Sequence, residues 1–476
     1  MPCTAIAPGM TAPQRARHLE ENLPEGLFRI ADEQERVAWR IAPEPFALAP
    51  ATAQRLATLG NDLLAFYRAL NALYLRSARG TAPGFIAEYL DTGKPEHIVR
   101  LARQNRFRSD LVGVIRPDLI LTEDGFVATE LDSLPGGMGF VGAMAEEYCR
   151  LGFESVGGAD GMAAGFAALI ADLAGRAHPV AAIVVSEESN DYRNELGWLA
   201  NRITSRGDAT VYCVAPQDIV FTEQALFVRL PGGREEKIDV VYRNFELFDL
   251  LNVPKWELIF YAARKNRVRM TPPPKAPLEE KLAFALFHHP VLEPLWRAEL
   301  GESFERLRRI FPQTWVLDPR PLPPQAEIAL LTAGGRPVFD WGELAQLGKS
   351  DRDFVIKPSG FSELAWGARG VRIANDLTRE EWSTALSEAL GAYGRTPHIL
   401  QRFRKGRRVS VAWWNRASDA IEQMDGRVRL SPYYFAVGGQ ARLGGILATV
   451  APADKRLIHG MRDAVMTPCM IREDGV

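Results

Sequence analysis

In residues 113–137, GVIRPDLILTEDGFVATELDSLPGG, one arginine and three carboxylates fall on what period-2 alternation makes a single face of a hairpin. Arg116 and Asp118 share one side of the first strand, and Glu130 and Asp132 share one side of the second. Register decides whether the two sides meet. A three-residue loop of Glu123, Asp124 and Gly125, with the glycine left-handed, sets Asp118 opposite Glu130 and Arg116 opposite Asp132. A two-residue Asp-Gly turn sets Leu131 opposite Asp118 instead. Like charges facing across a ladder cost up to about 1 kcal/mol, so the first register calls for a compensating cation. Oxygen-only ligands suit a hard ion such as magnesium, which completes its shell with water and substrate phosphates.

A second set of residues lies far downstream. In DFVIKPSGFSELAWGARG a β-rich run delivers Lys357, Pro358 stops the strand, and a segment with Gly360, Gly367 and Gly370 follows. A lysine at a strand end beside a glycine-rich loop suits nucleotide phosphates, the lysine as a point charge and the glycines as close-approaching amides. The plainer reading is a surface lysine before a loop. HILQRFRKGRRVSVAWW joins an apolar strand ending at Gln401, whose backbone edge suits adenine, to a basic run of Arg402, Arg404, Lys405, Arg407 and Arg408. That run reads first as a solvated hairpin turn and second as a phosphate or RNA contact. VRLSPYYFAVGGQARLGGILATVAP, with its two Gly-Gly pairs, looks like a strand pair lining a cleft. LPGGMGFVGAMAEEYCRLGF passes from a glycine-rich loop into a helix, and its glycines either cradle phosphate or simply join loop to helix. No Ser-His-Asp or Cys-His set is evident, and His288-His289 reads as local packing.

The elements that must position these residues fall into blocks. Leu56, Leu59, Leu63, Tyr67, Leu70 and Tyr74 form a helical stripe, and most of the first 110 residues look helical. From residue 179, PVAAIVVSEES, an amphipathic segment around Arg193 to Arg206, ATVYCVAP and IDVVYRNFELFDL alternate apolar strand with helix, as in a βαβ unit with a mostly parallel sheet. No G-x-G-x-x-G follows the strand at 181–185, which sets a dinucleotide domain aside. Arg243 in VYRNFELFDL follows an apolar strand and reads equally as a cleft residue for an acidic substrate or as a structural ion-pair partner. The proline cluster TPPPKAP at 271–277 reads as a linker, and a helix, LEEKLAFALF, opens the last third.

At 476 residues the chain exceeds one ordinary core, and 47% hydrophobic with 24% charged residues describes a soluble globular protein. A net charge of -2 offers no field for gathering nucleic acid, which leaves small molecules as the expected partners. Cys3, Cys149, Cys213 and Cys469 show neither metal-ligand spacing nor obvious pairing, as suits a reducing cytosol. The start lacks a secretory signal and no segment approaches a membrane span, so a cytoplasmic protein is expected.

Taken in order, these parts resemble the circularly permuted form of the ATP-grasp superfamily, as in glutathionylspermidine synthetase and its relatives. The family's R-x-D followed by E-x-N is matched by Arg116, Asp118, Glu130 and Asp132. Lys281 matches an early lysine, Lys357 the strand lysine, Gln401 and Arg402 the adenine hinge, and FAVGGQARLGG a glycine-paired segment. The likeness spans roughly residues 110 to 450. Asp132 replaces the family's asparagine, the arginine after the second Gly-Gly is absent with Arg442 as a substitute to be checked, and the stretch between the lysines is longer.

The resemblance implies an α+β chain. A mostly helical region (1–109) would precede a metal-binding part of the ATP-grasp core (110–175), an added α/β, pre-ATP-grasp-like substrate domain (176–270), and the nucleotide-binding and lid part of the core (271–476). It implies an ATP-dependent carboxylate-amine ligase acting through an acyl phosphate with Mg2+, on small carboxylate and amine substrates, without nucleic acid or membrane. The alternative is a nucleotide-binding protein that has kept the fold and lost the chemistry. By resemblance Asp118, Glu130 and Asp132 would hold metal, and Arg116 would steady the transferred phosphoryl group. Lys281, Lys357, Gly360, Gly367, Gly370 and Gln401 would bind ATP, with the glycine loop closing over it to exclude water.

Overall fold

The computed structural model describes residues 9–28, 38–323, 326–365 and 369–476, so Cys3 and Gly367 lie outside the described residues. Within them are thirteen α-helices and several sheets, a mixed α+β arrangement. No helix is long and apolar enough to cross a membrane. Cys149, Cys213 and Cys469 are free thiols.

The largest sheet has seven strands drawn from three distant parts of the chain. Phe46–Leu48 forms one edge, followed by Val465–Ile471, Gln440–Pro452, Ala420–Val437, Val114–Thr122 and Gly125–Asp132, with Arg408–Asn415 paired to the far end of Ala420–Val437. The hairpin around residue 120 is therefore laid directly against a strand three hundred residues later, with Ile120 opposite Arg429 and Ile115 opposite Tyr434. The helix Pro50–Ala78 covers this sheet. Proline at its first turn suits a position that needs no N–H donor. Its stripe of Leu56, Leu59, Leu63, Tyr67, Leu70 and Tyr74 is at most 2% exposed, each side chain contributing about 1.5–3 kcal/mol by burial.

A second sheet, wholly parallel, orders Arg269–Thr271, Val240–Asn244, Val180–Val185 and Thr210–Val214. Its central strands are buried on both faces, as a covered parallel sheet requires, and apolar except for Arg243 and Asn244 at the end of Val240–Asn244. A third, antiparallel sheet orders Thr314–Val316, His398–Arg402, Phe354–Pro358 and Arg372–Ile373, and the helix Arg379–Gly391 packs its Trp382 and Leu386 into the same core.

Two expectations about connections need correction. The proline cluster read as a linker is a covered connection: residues 271–278 are buried throughout, and the Lys275 ammonium within them donates to Asn71 Oδ1 at 2.9 Å and to the Asp110 carbonyl at 2.8 Å. Proline composition signals a break in secondary structure, which is equally met by a buried crossing between sheets. The basic run is not a hairpin turn. His398–Arg402 belongs to the third sheet and Arg408–Asn415 to the first, so the residues between them cross from one to the other. The backbone of Arg407 is tied to the Leu121 carbonyl at 2.8 Å.

Candidate active site

Between the seven-stranded and the antiparallel sheet lies a cavity of about 480 Å³, built around the carboxylate hairpin. The facing register occurs: Asp118 stands opposite Glu130 and Arg116 opposite Asp132. The loop does not produce it. Thr122 pairs with Gly125, leaving a two-residue turn of Glu123 and Asp124, and the ladder then shifts between Asp118 and Leu119. A bulge at Thr129 supplies the extra residue that the loop lacks. Thr129 Oγ1 donates to the Asp118 carbonyl at 3.1 Å, and the Thr129 carbonyl, freed from the ladder, accepts from Lys357 Nζ at 2.8 Å. The distortion that aligns the carboxylates thus also anchors the lysine of the other sheet.

Lys357 is 7% exposed and also donates to Gln401 Oε1 at 3.0 Å, while Gln401 Nε2 donates to Thr314 Oγ1 at 3.2 Å. Burial pushes the Lys357 ammonium down to about 8, with Glu130 opposing and Lys281 adding to the fall. Lys281 is fixed differently, 2.6 Å from Glu130 Oε1 and donating to the Ala365 carbonyl at 3.2 Å. Burial works to lower it, yet Glu130 and Asp132 hold it above its ordinary value.

The three carboxylates meet cations before they meet one another. Arg116 lies 3.2 Å from Asp118 Oδ1 and 2.9 Å from Asp132 Oδ2, and donates to the Gly136 carbonyl at 3.1 Å. Asp118 also receives Ser431 Oγ at 2.9 Å, and Arg429 stands 3.1 Å from its other oxygen. Burial alone would raise Asp118, but Arg116, Arg429 and Ser431 keep it below its usual range. Asp132 shifts the other way: burial, with Glu130 adding to it, outweighs Arg116.

The expected set divides between two spaces. Asp118, Glu130, Lys357 and Gln401 line the large cavity, whose walls of Ile120, Val355, Ile373 and Phe403 offer apolar surface for a flat base. Arg404 and Lys405 stand at the same cavity while remaining exposed to solvent. Glu130, Asp132, Lys281 and Gly360 line a smaller pocket of about 70 Å³ beside it, together with Glu246 and Glu279. Arg116 lines neither and holds Asp118 and Asp132 in place. Gly360 is required by packing, because a Cβ there would come 2.4 Å from the Glu279 carbonyl oxygen. Gly370 donates its N–H to the Leu364 carbonyl at 2.9 Å.

Arg243 takes the structural alternative. It is fully buried, donates to the Phe245 carbonyl at 2.6 Å and pairs with Glu279, and the group that faces the small pocket is Glu279. Burial pushes Glu279 up to about 6 against the pull of Arg243, and pushes Glu246 up to about 8 with Glu279 adding to the rise. His288 packs against the Phe311 carbonyl at 3.1 Å, with burial lowering it to about 4. Arg442 is exposed on the strand Gln440–Pro452, opposite Phe435, and lines neither space.

The glycine-rich loop before the helix Met138–Arg150 does not offer its amides to a ligand. Glu195, 1% exposed on the helix Arg193–Arg206, accepts from Gly137, Gly139 and Phe140 at 2.7, 2.5 and 3.1 Å. A protein carboxylate occupies the anion position of that helix start. The approach is so close that a Cβ on Gly139 would lie 1.8 Å from the Glu195 carbonyl oxygen. Gly139→Ala is expected to destabilise the protein by about 3 kcal/mol or more, since backbone must move. Thermal unfolding measures it, and an unchanged melting temperature would contradict the packing described.

Sequence reading missed Glu195, Glu246, Glu279 and Arg429. Arg429 had a signal, because Arg427 and Arg429 alternate with Val428 and Leu430 just before the apolar run of Tyr433 to Val437. Glu195 had none, since nothing in an amphipathic helix marks one carboxylate as buried.

The fold is shared with a solved structure. A glutathione synthetase-like effector from Globodera pallida aligns over 99% of this chain and 100% of its own, with TM-score 0.54 and 11% identity. A protein from Methylobacillus flagellatus, provisionally described as a gamma-glutamylcysteine synthetase, covers 84% of this chain and 85% of its own at 12% identity. Its TM-score of 0.36 is too low to argue from. No family model matches the chain, and no curated protein does either.

The residues present suit a nucleotide. The volume lies within the range of about 300–1,000 Å³ for ligand sites, and the lining combines apolar side chains with cations. For a metal the fit is narrower. Among the described residues no three His, Cys, Asp or Glu side chains stand together as a ready metal site. Magnesium ordinarily uses one or two carboxylates and takes the rest of its shell from phosphates and water. Asp118 and Glu130 meet that condition at the large cavity, whereas Asp132 faces the small pocket.

Proposed function

We propose that this chain is an ATP-dependent carboxylate-amine ligase of the circularly permuted ATP-grasp kind. One observation carries the reading: Lys357 and Gln401 from one sheet and Asp118 and Glu130 from another line a single cavity. The shared fold at TM-score 0.54 agrees with it. In this reading residues 110–175 and 271–476 are the two parts of the catalytic core, and 176–270 serve the substrates.

ATP supplies the phosphoryl group that activates a carboxylate as an acyl phosphate for capture by an amine, and magnesium neutralises phosphate charge. The chain's part is positioning and charge, which is most of what phosphoryl transfer needs. Lys357, anchored at both Thr129 and Gln401, places a fixed cation in the cavity. Asp118 and Glu130 would hold the metal. Arg116 keeps Asp118 ionised, a positioning role rather than a contact with the reacting atoms. Lys281 ties the hairpin to the loop through Glu130 and Ala365, so closing the loop and aligning the hairpin are linked. The small acidic pocket adjoins at Glu130, where an acid and an amine would be brought together.

ADP and phosphate release is expected only with a suitable acid and amine together. Asp118→Asn and Glu130→Gln should each lower it by about 100-fold or more with the circular dichroism spectrum unchanged. Full activity in both variants would overturn the site. Nucleotide binding without turnover across a broad acid and amine panel would leave a binding protein instead.

A further inference from the structure

Arg429 has no part in the ligand set drawn from the sequence, yet it lines the cavity, as does Arg427 two residues before it on the same strand. Its neighbours are accounted for. Arg427 donates to the carbonyls of Gly406, Ala453 and Lys455, which ties two loops together. Arg442 is exposed at the other end of the pair. Arg429 makes one ion pair, NH1 to Asp118 Oδ2 at 3.1 Å, and its Nε is buried without an acceptor among the described residues.

Asp118 does not need a second guanidinium. Arg116 and Ser431 already engage its other oxygen, at 3.2 and 2.9 Å. A guanidinium carries five donors, and one shared carboxylate oxygen leaves most of them unused. Charge points the same way. Arg116, Arg429, Lys281 and Lys357 surround Asp118, Glu130 and Asp132, so four cations meet three carboxylates. The imbalance is larger over the cavity as a whole, whose lining has seven lysines and arginines, Arg429 and Lys357 among them, against the three carboxylates Asp118, Glu130 and Asp454. Buried or half-buried cations with open donors call for an anion, and none of the described side chains provides it.

We infer that Arg429, on the strand Ala420–Val437, binds the phosphate chain of the nucleotide. The assignment rests on the ligase reading for the identity of the ligand, and on the geometry alone for its charge. An arginine here presents a planar fork that matches phosphate oxygens, which Lys357 as a point charge does not.

Equilibrium titrations of the full chain with adenosine, ADP, a non-hydrolysable ATP analogue and inorganic tripolyphosphate test it without turnover. Arg429→Met keeps the length of the side chain and leaves Asp118 with Arg116 and Ser431, so the fold is retained. The variant is expected to bind ADP, the analogue and tripolyphosphate about 10- to 100-fold more weakly, with adenosine unchanged and Arg442→Met equal to wild type. A counter-ion serving Asp118 alone would weaken adenosine as much as ADP, or leave all four untouched, and either result overturns the inference. If wild type binds tripolyphosphate through Arg429 but no adenosine compound, the anion site stands and the nucleotide reading falls. If wild type binds none of the four, both fall.

Discussion

Lys357→Met is expected to leave the free protein as stable as wild type or about 1 kcal/mol more stable, while lowering nucleotide affinity by about 100-fold or more. The two effects share one cause. A buried ammonium whose proton is held only to about pH 8 is in a worse environment than water, a cost of order 3 kcal/mol. Methionine removes that cost and loses the bonds to the Thr129 carbonyl and Gln401, together worth about 2 kcal/mol. What it cannot replace is the fixed charge facing the phosphates. The sign of the pH dependence follows. Because the folded state releases this proton more readily than the unfolded chain, stability rises with pH between about 8 and 10.5, and it is lost as pH falls through 8. A bound polyanion restores the proton, so affinity should be flat below about pH 8 and fall about tenfold per unit above it. Titration calorimetry from pH 7 to 10 and urea unfolding of both proteins measure the two halves. A variant that is both clearly less stable and fully able to bind would contradict the role given to Lys357.

Arg116→Met should destabilise the protein by about 1–3 kcal/mol at pH 7, the cost of leaving a half-buried carboxylate, Asp132, without its cation. One guanidinium serves Asp118 and Asp132, so its removal leaves Asp132 with only the Leu134 amide at 2.9 Å, whereas Asp118 retains Arg429 and Ser431. Asp132 already holds its proton more tightly than an ordinary carboxyl because of burial and Glu130. A group raised in the folded state favours folding at low pH and loses that contribution as pH rises. The deficit should therefore be smaller at pH 5 than at pH 7, because a carboxyl raised above its ordinary value takes up more of its proton as pH falls. Urea unfolding at the two pH values decides it, and an equal deficit at both would show that the carboxylates are not its source.

Much of the candidate site was legible because its chemistry is local. Period-2 alternation put Arg116 with Asp118 and Glu130 with Asp132, and a strand-ending lysine before glycines marked Lys357. The βαβ alternation from residue 179 corresponds to a parallel sheet. The misreadings share a different origin. Proline at 272–274 signals that helix or strand cannot continue, not whether the segment is covered. A run of five basic residues looks like a solvated hairpin turn; Arg404, Lys405 and Arg408 are exposed, but the strands on either side belong to two different sheets. Glycines before a helix expose amides, but Glu195 from another helix fills them.

By itself the sequence determined which residues could act and which shared a strand face, since those follow from side-chain chemistry and a two-residue repeat. Only the tertiary structure decided that they stand together. The facing carboxylates depend on a bulge at Thr129, not on the loop, and that bulge is held by Lys357 from 228 residues away. The cation that shares Asp118 is Arg429, from a strand that pairs with the hairpin only once the sheet has formed. Register, bulges and counter-ions are set by partners distant in the chain, so local propensity carries no trace of them.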